Sequence, residues 1–503
     1  MTDATGKTAS RTGKVRLAKP RARFDRRRAF FLLLGLGLFA VTYLTPQWPD
    51  AVDPKGEHFS LSREGQAALA LFFLAATWWI FEVIPIGVTA IAIGVMQAHF
   101  LIRKPETAFT NFMDPSVWFI FGSLVIGIVF TKTGLTRRLA YRMLGLVGER
   151  TSMIYLGCFV MTAALTLIMA HTAVAATIFP LLMAIYALYE EGGQRTKFGK
   201  GLFIGMAYSA GAGSIITLLG AARGAVAIGF FKTFTGVEIG FFELSYYMLP
   251  LGAIMVVLVW VMMMALFRPE KREIEGLREK ARDLYAKLGP MSGIEKGTLV
   301  IVFGAILVLS LRSVMPSNPL IGGIDKSAVI LTATVLFFVF RILSVKDLEE
   351  LPWNIILLFG GAMSIGFCLW ETGTAKWLAI HWLSLFQSAP PIIFVLSIAF
   401  FVLIMTNFIM NVAAIAISLP VALVIAPYLG VSGHLVMFSA LATAGMPFLF
   451  LIGAAPNAIA YESKQFSSAE FMRTGVPMTG ILMAVLALFV WLIWPLMGMP
   501  VTS

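Results

Sequence analysis

The chain has 503 residues, 58% hydrophobic and only 13% charged, with a mean hydropathy of +0.85, whereas a soluble globular chain carries roughly 25% charged residues. This composition excludes a soluble globular domain. Apolar runs long enough to cross a ~30 Å hydrocarbon layer instead predict a polytopic, all-α membrane protein, since only helices and closed barrels satisfy their backbone in lipid. The net charge of +12 sits mostly in loops and an N-terminal arm, the distribution expected of a multi-pass inner-membrane protein and not of a nucleic-acid binder.

Taken in chain order, residues 1–28 form a basic arm ending in Arg26, Arg27 and Arg28. The apolar run that follows has no small-x-small cleavage site, so it reads as a retained first helix with a cytoplasmic N-terminus. Membrane helices are predicted near 29–46, 66–83, 85–101, 118–134, 201–231, 244–267, 297–312, 327–343, 353–370, 434–461 and 476–498, about eleven in all. Segments 153–188 and 391–428 each exceed thirty residues and are interrupted by small and polar residues, with Pro180 and Pro420 beyond the break. They read as re-entrant hairpins. With 153–188 re-entrant, the charged linker 268–296 returns to the side of the basic arm and the C-terminus falls on the opposite side, as the distribution of Lys and Arg requires. Cys158 and Cys368 lie in apolar runs and read as packing residues.

The two halves repeat each other. "VWFIFGSLVIGIVFTKTGLTRRLA" at 117–140 parallels "NIILLFGGAMSIGFCLWETGTAKWLA" at 354–379. "AHTAVAATIFP" at 170–180 parallels "MNVAAIAISLP" at 410–420, and "GAARGAVA" at 220–227 parallels "GAAPNAIA" at 453–460. An odd number of crossings between equivalent points makes the second repeat inverted. The chain thus divides into a first repeat, 29–267, with hairpin 153–188 and broken helix 201–231, and a second, 297–503, with hairpin 391–428 and broken helix 434–461. Inverted repeats with broken segments at equivalent places point to a secondary transporter with its site at the midplane.

The breaks supply the candidate site. Their backbone comprises Ala170 and Ala173, Gly220, Ala221, Ala222 and Gly224, Met410 and Val412, and Gly453, Ala454, Ala455 and Pro456. Exposed N–H ends attract anions and carbonyl ends attract cations. His171, Thr172, Arg223, Asn411 and Asn457 are the candidate substrate-binding side chains. Arg223 is costly in a span; it either snorkels to the interface or grips a carboxylate or sulfate. His171 is either a satisfied core histidine or an anion contact, and Asn411 and Asn457 are either helix caps or ligands. No carboxylate falls at a break, which favours an anionic substrate over a cation or proton cargo. Nothing resembles a metal cluster, a nucleophile–base pair or any other enzyme constellation, and no cofactor is implied.

With these motifs in view, the chain resembles the divalent anion:sodium symporter (DASS) family over nearly all its length after the arm. "WWIFEVIPIGVTA" at 78–90 is similar to that family's "WW-x-x-E-x-x-P" turn, and "LPWNIILLFGGAMSIGFCLWETGTAKWLA" at 351–379 is the most specific match. The resemblance implies a scaffold and a transport domain, an elevator mechanism, a homodimer in the lipid bilayer, and small di- or tricarboxylate or sulfate substrates. It also implies sodium sites at the breaks. There the chain departs from the pattern. The family's Ser-Asn-Thr tips read Ala170-His171-Thr172 and Met410-Asn411-Val412, and its Thr-Pro-Pro-Asn segments read Ala221-Ala222-Arg223-Gly224 and Ala454-Ala455-Pro456-Asn457. Asn407, Asn411 and Asn457 are the candidate ligands of a residual sodium site. In the first half a fixed guanidinium takes over the electrostatic role, which favours sodium-independent exchange. Sodium-coupled symport through backbone ligands, and an anion channel on the same scaffold, stand as alternatives.

Overall fold

The computed structural model of the chain describes residues 26–46, 48–52, 56–190, 194–315, 317–318, 320–383 and 390–502. Most of the basic arm lies outside the described residues. The first repeat opens with α1 (Arg26–Leu44), a two-stranded antiparallel hairpin of β1 (Ala51–Val52) and β2 (His58–Phe59), α2 (Arg63–Ile80), α3 (Ile86–His99) and short α4 (Pro105–Thr110). It continues with α5 (Pro115–Thr133), α6 (Leu135–Val147), the hairpin pair α7 (Thr151–Leu165) and α8 (His171–Tyr189), the half-helices α9 (Lys197–Gly213) and α10 (Arg223–Thr235), and α11 (Phe241–Leu266). The linker contains α12 (Leu277–Lys287).

The second repeat runs through α13 (Gly293–Val314), α14 (Lys326–Val339), short α15 (Val345–Glu349), α16 (Trp353–Glu371) and α17 (Thr374–Leu383). It then forms the hairpin pair α18 (Pro391–Phe408) and α19 (Asn411–Ile425), the half-helices α20 (Gly433–Ala444) and α21 (Ala455–Tyr461), and α22 (Ser468–Leu488). Nine helical segments among the described residues are long and apolar enough to cross a membrane. Segments 201–231 and 434–461 are each split into two half-helices. The amphipathic α6 and the short, mostly apolar α17 occupy stretches in which no separate helix was expected.

The first hairpin is re-entrant. At one end, Thr151 N–H donates to the Arg272 carbonyl; at the other, the Tyr189 hydroxyl donates to Glu270. Both ends therefore meet the same few linker residues. Other long-range ties join residues that the threading places on one side: Arg138 with Glu295, Lys132 with Asp347 and Lys200 with Glu470. On the opposite side Arg103 pairs with Glu371, and Glu238 with Lys232, Arg312 and Lys326. The Ser432 N–H also meets the Val501 carbonyl there.

The repeat extends into the flanking helices. The chain leaves α3 through Leu101 at φ 53 and α14 through Arg341 at φ 54. In both turns the next two N–H groups, of Ile102 and Arg103 or of Ile342 and Leu343, return to one carbonyl, that of Gln97 or Phe337. A left-handed residue is uncommon outside glycine, so the same turn at the same place in both halves is a structural trace of the duplication. At the centre, α9 and α20 are buried almost throughout, whereas α1 and α13 expose most of their apolar side chains.

Candidate functional site

Polar side chains cap many of the helices that begin near the two faces. Ser62, Asp114, Thr196, Ser292, Asp325, Ser432 and Ser467 each accept a hydrogen bond from the first turn of α2, α5, α9, α13, α14, α20 and α22. The half-helices that begin inside the membrane differ. The residues preceding α8, α10 and α19 are Ala170, Ala222 and Met410, and none supplies a side-chain cap. The first N–H groups of a helix have no carbonyl of their own helix to bind, and they sit at the positive end of its dipole.

These three starts share one cavity of about 700 Å³. Ala170, His171, Thr172 and Ala173 line it from the first hairpin, and Met410, Asn411 and Val412 from the second. Ala221, Ala222 and Arg223 line it from the first break, and Gly453, Ala454 and Ala455 from the second. The two hairpin tips and the two helix breaks therefore converge. The remaining wall comes from α5 (Leu124, Gly127, Ile128, Thr131, Lys132), from Ala176 and Thr177 of α8, from Ile452, and from the stretch Asp347, Glu350, Pro352, Ile355 and Phe359. Lys132, Asp347 and Glu350 lie on the linker side of the molecule, so the cavity faces that side.

Arg223 is the first residue of α10 and is only 1% exposed. Its Nη2 donates to the Ser214 hydroxyl at 2.6 Å, and Ser214 is the residue that ends α9. Its Nε and Nη1 have no hydrogen-bond partner among the described residues. The guanidinium also lies against Gly445, which ends α20: a Cβ there would come within 2.7 Å of Nη2 and 3.1 Å of Cζ. The charge is thus held between the C-terminal ends of two half-helices, where carbonyl dipoles favour a cation. A side chain at this depth is not snorkelling to an interface.

His171 donates its backbone N–H to the Gly220 carbonyl at 3.0 Å and brings Nδ1 to 3.3 Å from the same oxygen. With Nδ1 protonated, the imidazole therefore latches the first hairpin tip to the first break and remains on the cavity wall. Gly220 is required at this junction, because a Cβ would meet the Thr166 carbonyl at 2.6 Å. Thr172 lines the cavity one residue further on.

In the second half, amides hold the backbone. Asn407 Oδ1 accepts the N–H groups of Leu449 and Phe450, and its Nδ2 donates to Leu403. Asn457 Nδ2 donates to the carbonyls of Pro447 and Phe450. Asn411 Oδ1 accepts from the Thr406 hydroxyl, which also approaches the Ala444 carbonyl. Of these three asparagines, Asn411 alone is among the cavity-lining residues; Asn457 and Asn407 brace the unwound segment behind it. Gly220, Gly224 and Pro456 likewise stand behind the wall. The Asn407 oxygen is already taken by two donors, which reduces what this cluster offers a cation. Among the described residues no group of three or more His, Cys, Asp or Glu is placed to hold a metal ion.

Sequence reasoning did not single out Ser214, Thr406 or the charged rim. Lys132 Nζ pairs with Asp347 Oδ2 at 2.6 Å. Burial raises the Asp347 carboxyl, but hydrogen bonds from Lys132 and from the Ser344 hydroxyl and N–H outweigh it and hold the group at about 2. The carboxylate therefore stays ionised across the physiological range. Its members are far apart in sequence, and nothing local announces it.

Comparison with known proteins agrees with this architecture. The sodium-dependent dicarboxylate transporter SdcS of Staphylococcus saprophyticus is 26% identical over 492 residues, covering 94% of this chain and 92% of that protein. The protein of the same name from Staphylococcus aureus is 26% identical over 497 residues, covering 95% and 94%. The crystal structure of the Alcanivorax borkumensis YdaH transporter superposes with a TM-score of 0.51 over 93% of this chain and 97% of that one; at 12% identity this likeness concerns the fold alone. The family model described as the sodium:sulfate symporter transmembrane region matches residues 39–500, and the chain belongs to that family.

Proposed function

We propose that this chain is a secondary transporter that exchanges one small divalent anion for another, a dicarboxylate or a sulfate-like ion, with the Arg223 charge taking the place of a bound sodium ion. The observation that carries the reading is the convergence of three uncapped helix N-termini on one cavity beside a buried guanidinium with two unpartnered donors. Helix N-termini bind anions through free N–H groups and the dipole, and a buried guanidinium needs a compensating negative charge. His171, Thr172 and Asn411 complete the binding wall, with Asn457 positioning it.

The hairpins and half-helices form the moving unit, and the spans near 29–101 and 244–343 form the scaffold of a homodimer. The linker side is cytoplasmic, consistent with its basic loops. Without an anion, the carrier must move a buried guanidinium with two unpartnered donors through the membrane; a bound dianion pairs those donors and leaves the site with one net negative charge. Exchange is then obligatory.

The test is uptake of labelled succinate and sulfate into proteoliposomes. Uptake is expected only into vesicles preloaded with succinate or sulfate, at rates far below channel flux, and unchanged when choline replaces sodium. A second reading, sodium-coupled symport, is supported by Asn411 and Gly453 on the wall of the same cavity and by the sodium dependence in the relatives' names. Steep sodium stimulation of uptake into empty vesicles would favour it and overturn obligatory exchange. Conductance at channel rates would overturn both.

A further inference from the structure

Two ion pairs occupy equivalent places in the inverted repeat, with their polarity reversed. In the parallel segments "FTKTG" at 130–134 and "LWETG" at 369–373, Lys132 and Glu371 hold the same position. Each stands near the end of its helix, α5 or α16. Each pairs with the other repeat, at the connection that follows the twin left-handed turns. Lys132 reaches Asp347 at 2.6 Å, six residues after Arg341. Glu371 receives Arg103, two residues after Leu101, in a two-pronged contact at 2.8 and 2.9 Å.

The pairs present opposite charges. On the linker side the cation is the open partner: the Lys132 side chain is 43% exposed and Asp347 is 14% exposed, held from behind by Ser344. On the other side the cation is sealed. The Arg103 side chain is 4% exposed, bonded also to Gln97, Asn111 and the Ser364 carbonyl, while Glu371 is 45% exposed. Lys132 lines the cavity that contains Arg223 and the hairpin tips. The hydroxyls of Thr131 and Thr177 lie between the tips and this rim, but both approach carbonyls of their own helices, Gly127 and Ala173. That leaves Lys132 as a cationic donor at the rim. Glu350, exposed at the same rim, opposes it.

Resting on the anion-transport reading above, we infer that Lys132 is an anion contact used on the linker-side face alone, held in reserve by Asp347, and that the reversed Arg103–Glu371 pair withholds such a contact from the opposite face. The carrier then binds the same anion with unequal strength on its two sides. An arriving dianion competes with Asp347 for the ammonium, and the local field falls off over about 10 Å at ordinary salt.

The experiment measures half-saturation by labelled succinate in inside-out and right-side-out membrane vesicles preloaded with succinate. Lys132→Met is expected to raise the half-saturation concentration on the linker-side face about two- to fivefold, the size of an exposed charge contact, and to leave the other face unchanged. Asp347→Asn is expected to lower it on the same face only, and Lys132→Arg to restore it. Added salt shrinks each difference. Equal shifts on both faces, or none with either variant, overturn the inference while leaving anion exchange standing. Absence of succinate and sulfate exchange by the unaltered protein overturns both.

Discussion

The two breaks occupy parallel segments of the sequence and are stabilised by different physics. In the first, a single charge does most of the work: Arg223 spans the ends of α9 and α20, with Ser214 as its hydrogen-bonded partner. In the second, Asn407, Asn457, Thr406 and Asn411 tie down the unwound backbone with neutral hydrogen bonds. Pro456 stands at the place equivalent to Arg223, and Gly224 at the place equivalent to Asn457. An unwound helix inside a membrane must have its polar backbone groups satisfied. The comparison teaches that amides meet this need locally, whereas a guanidinium also sets the electrostatic sign of the site.

That contrast is broken most directly at Arg223. Arg223→Ala removes the charge and leaves the Ser214 hydroxyl and two helix ends facing each other. Succinate exchange is expected to fall by roughly a hundredfold or more, on the scale of removing one partner from a buried charged contact. Arg223→Lys is expected to recover only part of it, since an ammonium lacks the planar fork. Retention of full exchange by Arg223→Ala would place the anion site elsewhere.

Gly445 sharpens the same comparison, because it lets the second half accommodate the first half's charge. A methyl group there collides with Ile215 and with the guanidinium. Overpacking of this kind costs about 1–3 kcal/mol, and exchange by Gly445→Ala is expected to drop about tenfold on the same scale. Gly480, which has open space around it, serves as the control and is expected to tolerate alanine.

The smallest expected effect on transport is at Asn407. Asn407→Ala takes the acceptor from two buried-segment N–H groups, at a cost of roughly 1–3 kcal/mol for unsatisfied donors. Thermal melting in detergent is expected to shift down by a few degrees, with exchange reduced only about twofold on that scale. A large loss of exchange with no loss of stability would assign Asn407 to the binding wall instead of the brace.

Most of the architecture was legible in the sequence, because lipid leaves a chain few options. Long apolar runs mark helices, basic loops mark one face, and repeated Gly/Pro/Ala interruptions mark the breaks. Arg223 stood out for the same reason: a guanidinium in an apolar span has no routine explanation. Its surroundings were not legible. That Nη2 bonds Ser214, nine residues back across a kink, depends on how α9 ends. That Gly445 presses on it depends on packing between halves. The helices α6 and α17 escaped notice because each is short and merges into a charged or apolar neighbour. Lys132 and Asp347 are brought together by the packing of α5 against α14 and α16, which flank α15, and no local period records it.

The Arg223 charge is tethered and buried between the ends of two helices, and it cannot dissociate into bulk solvent. A dissociable cation samples the solution on each side and so carries information about its own gradient into the transport cycle. A tethered one samples neither. On the proposed exchange reading, a carrier built on it draws on no sodium gradient and concentrates its cargo only as far as an outgoing anion of equal charge allows. When the two anions match in charge, the swap is also electrically silent, so the membrane voltage neither drives nor resists it. On that reading, replacing a bound ion with a side chain converts a symporter into an equilibrator.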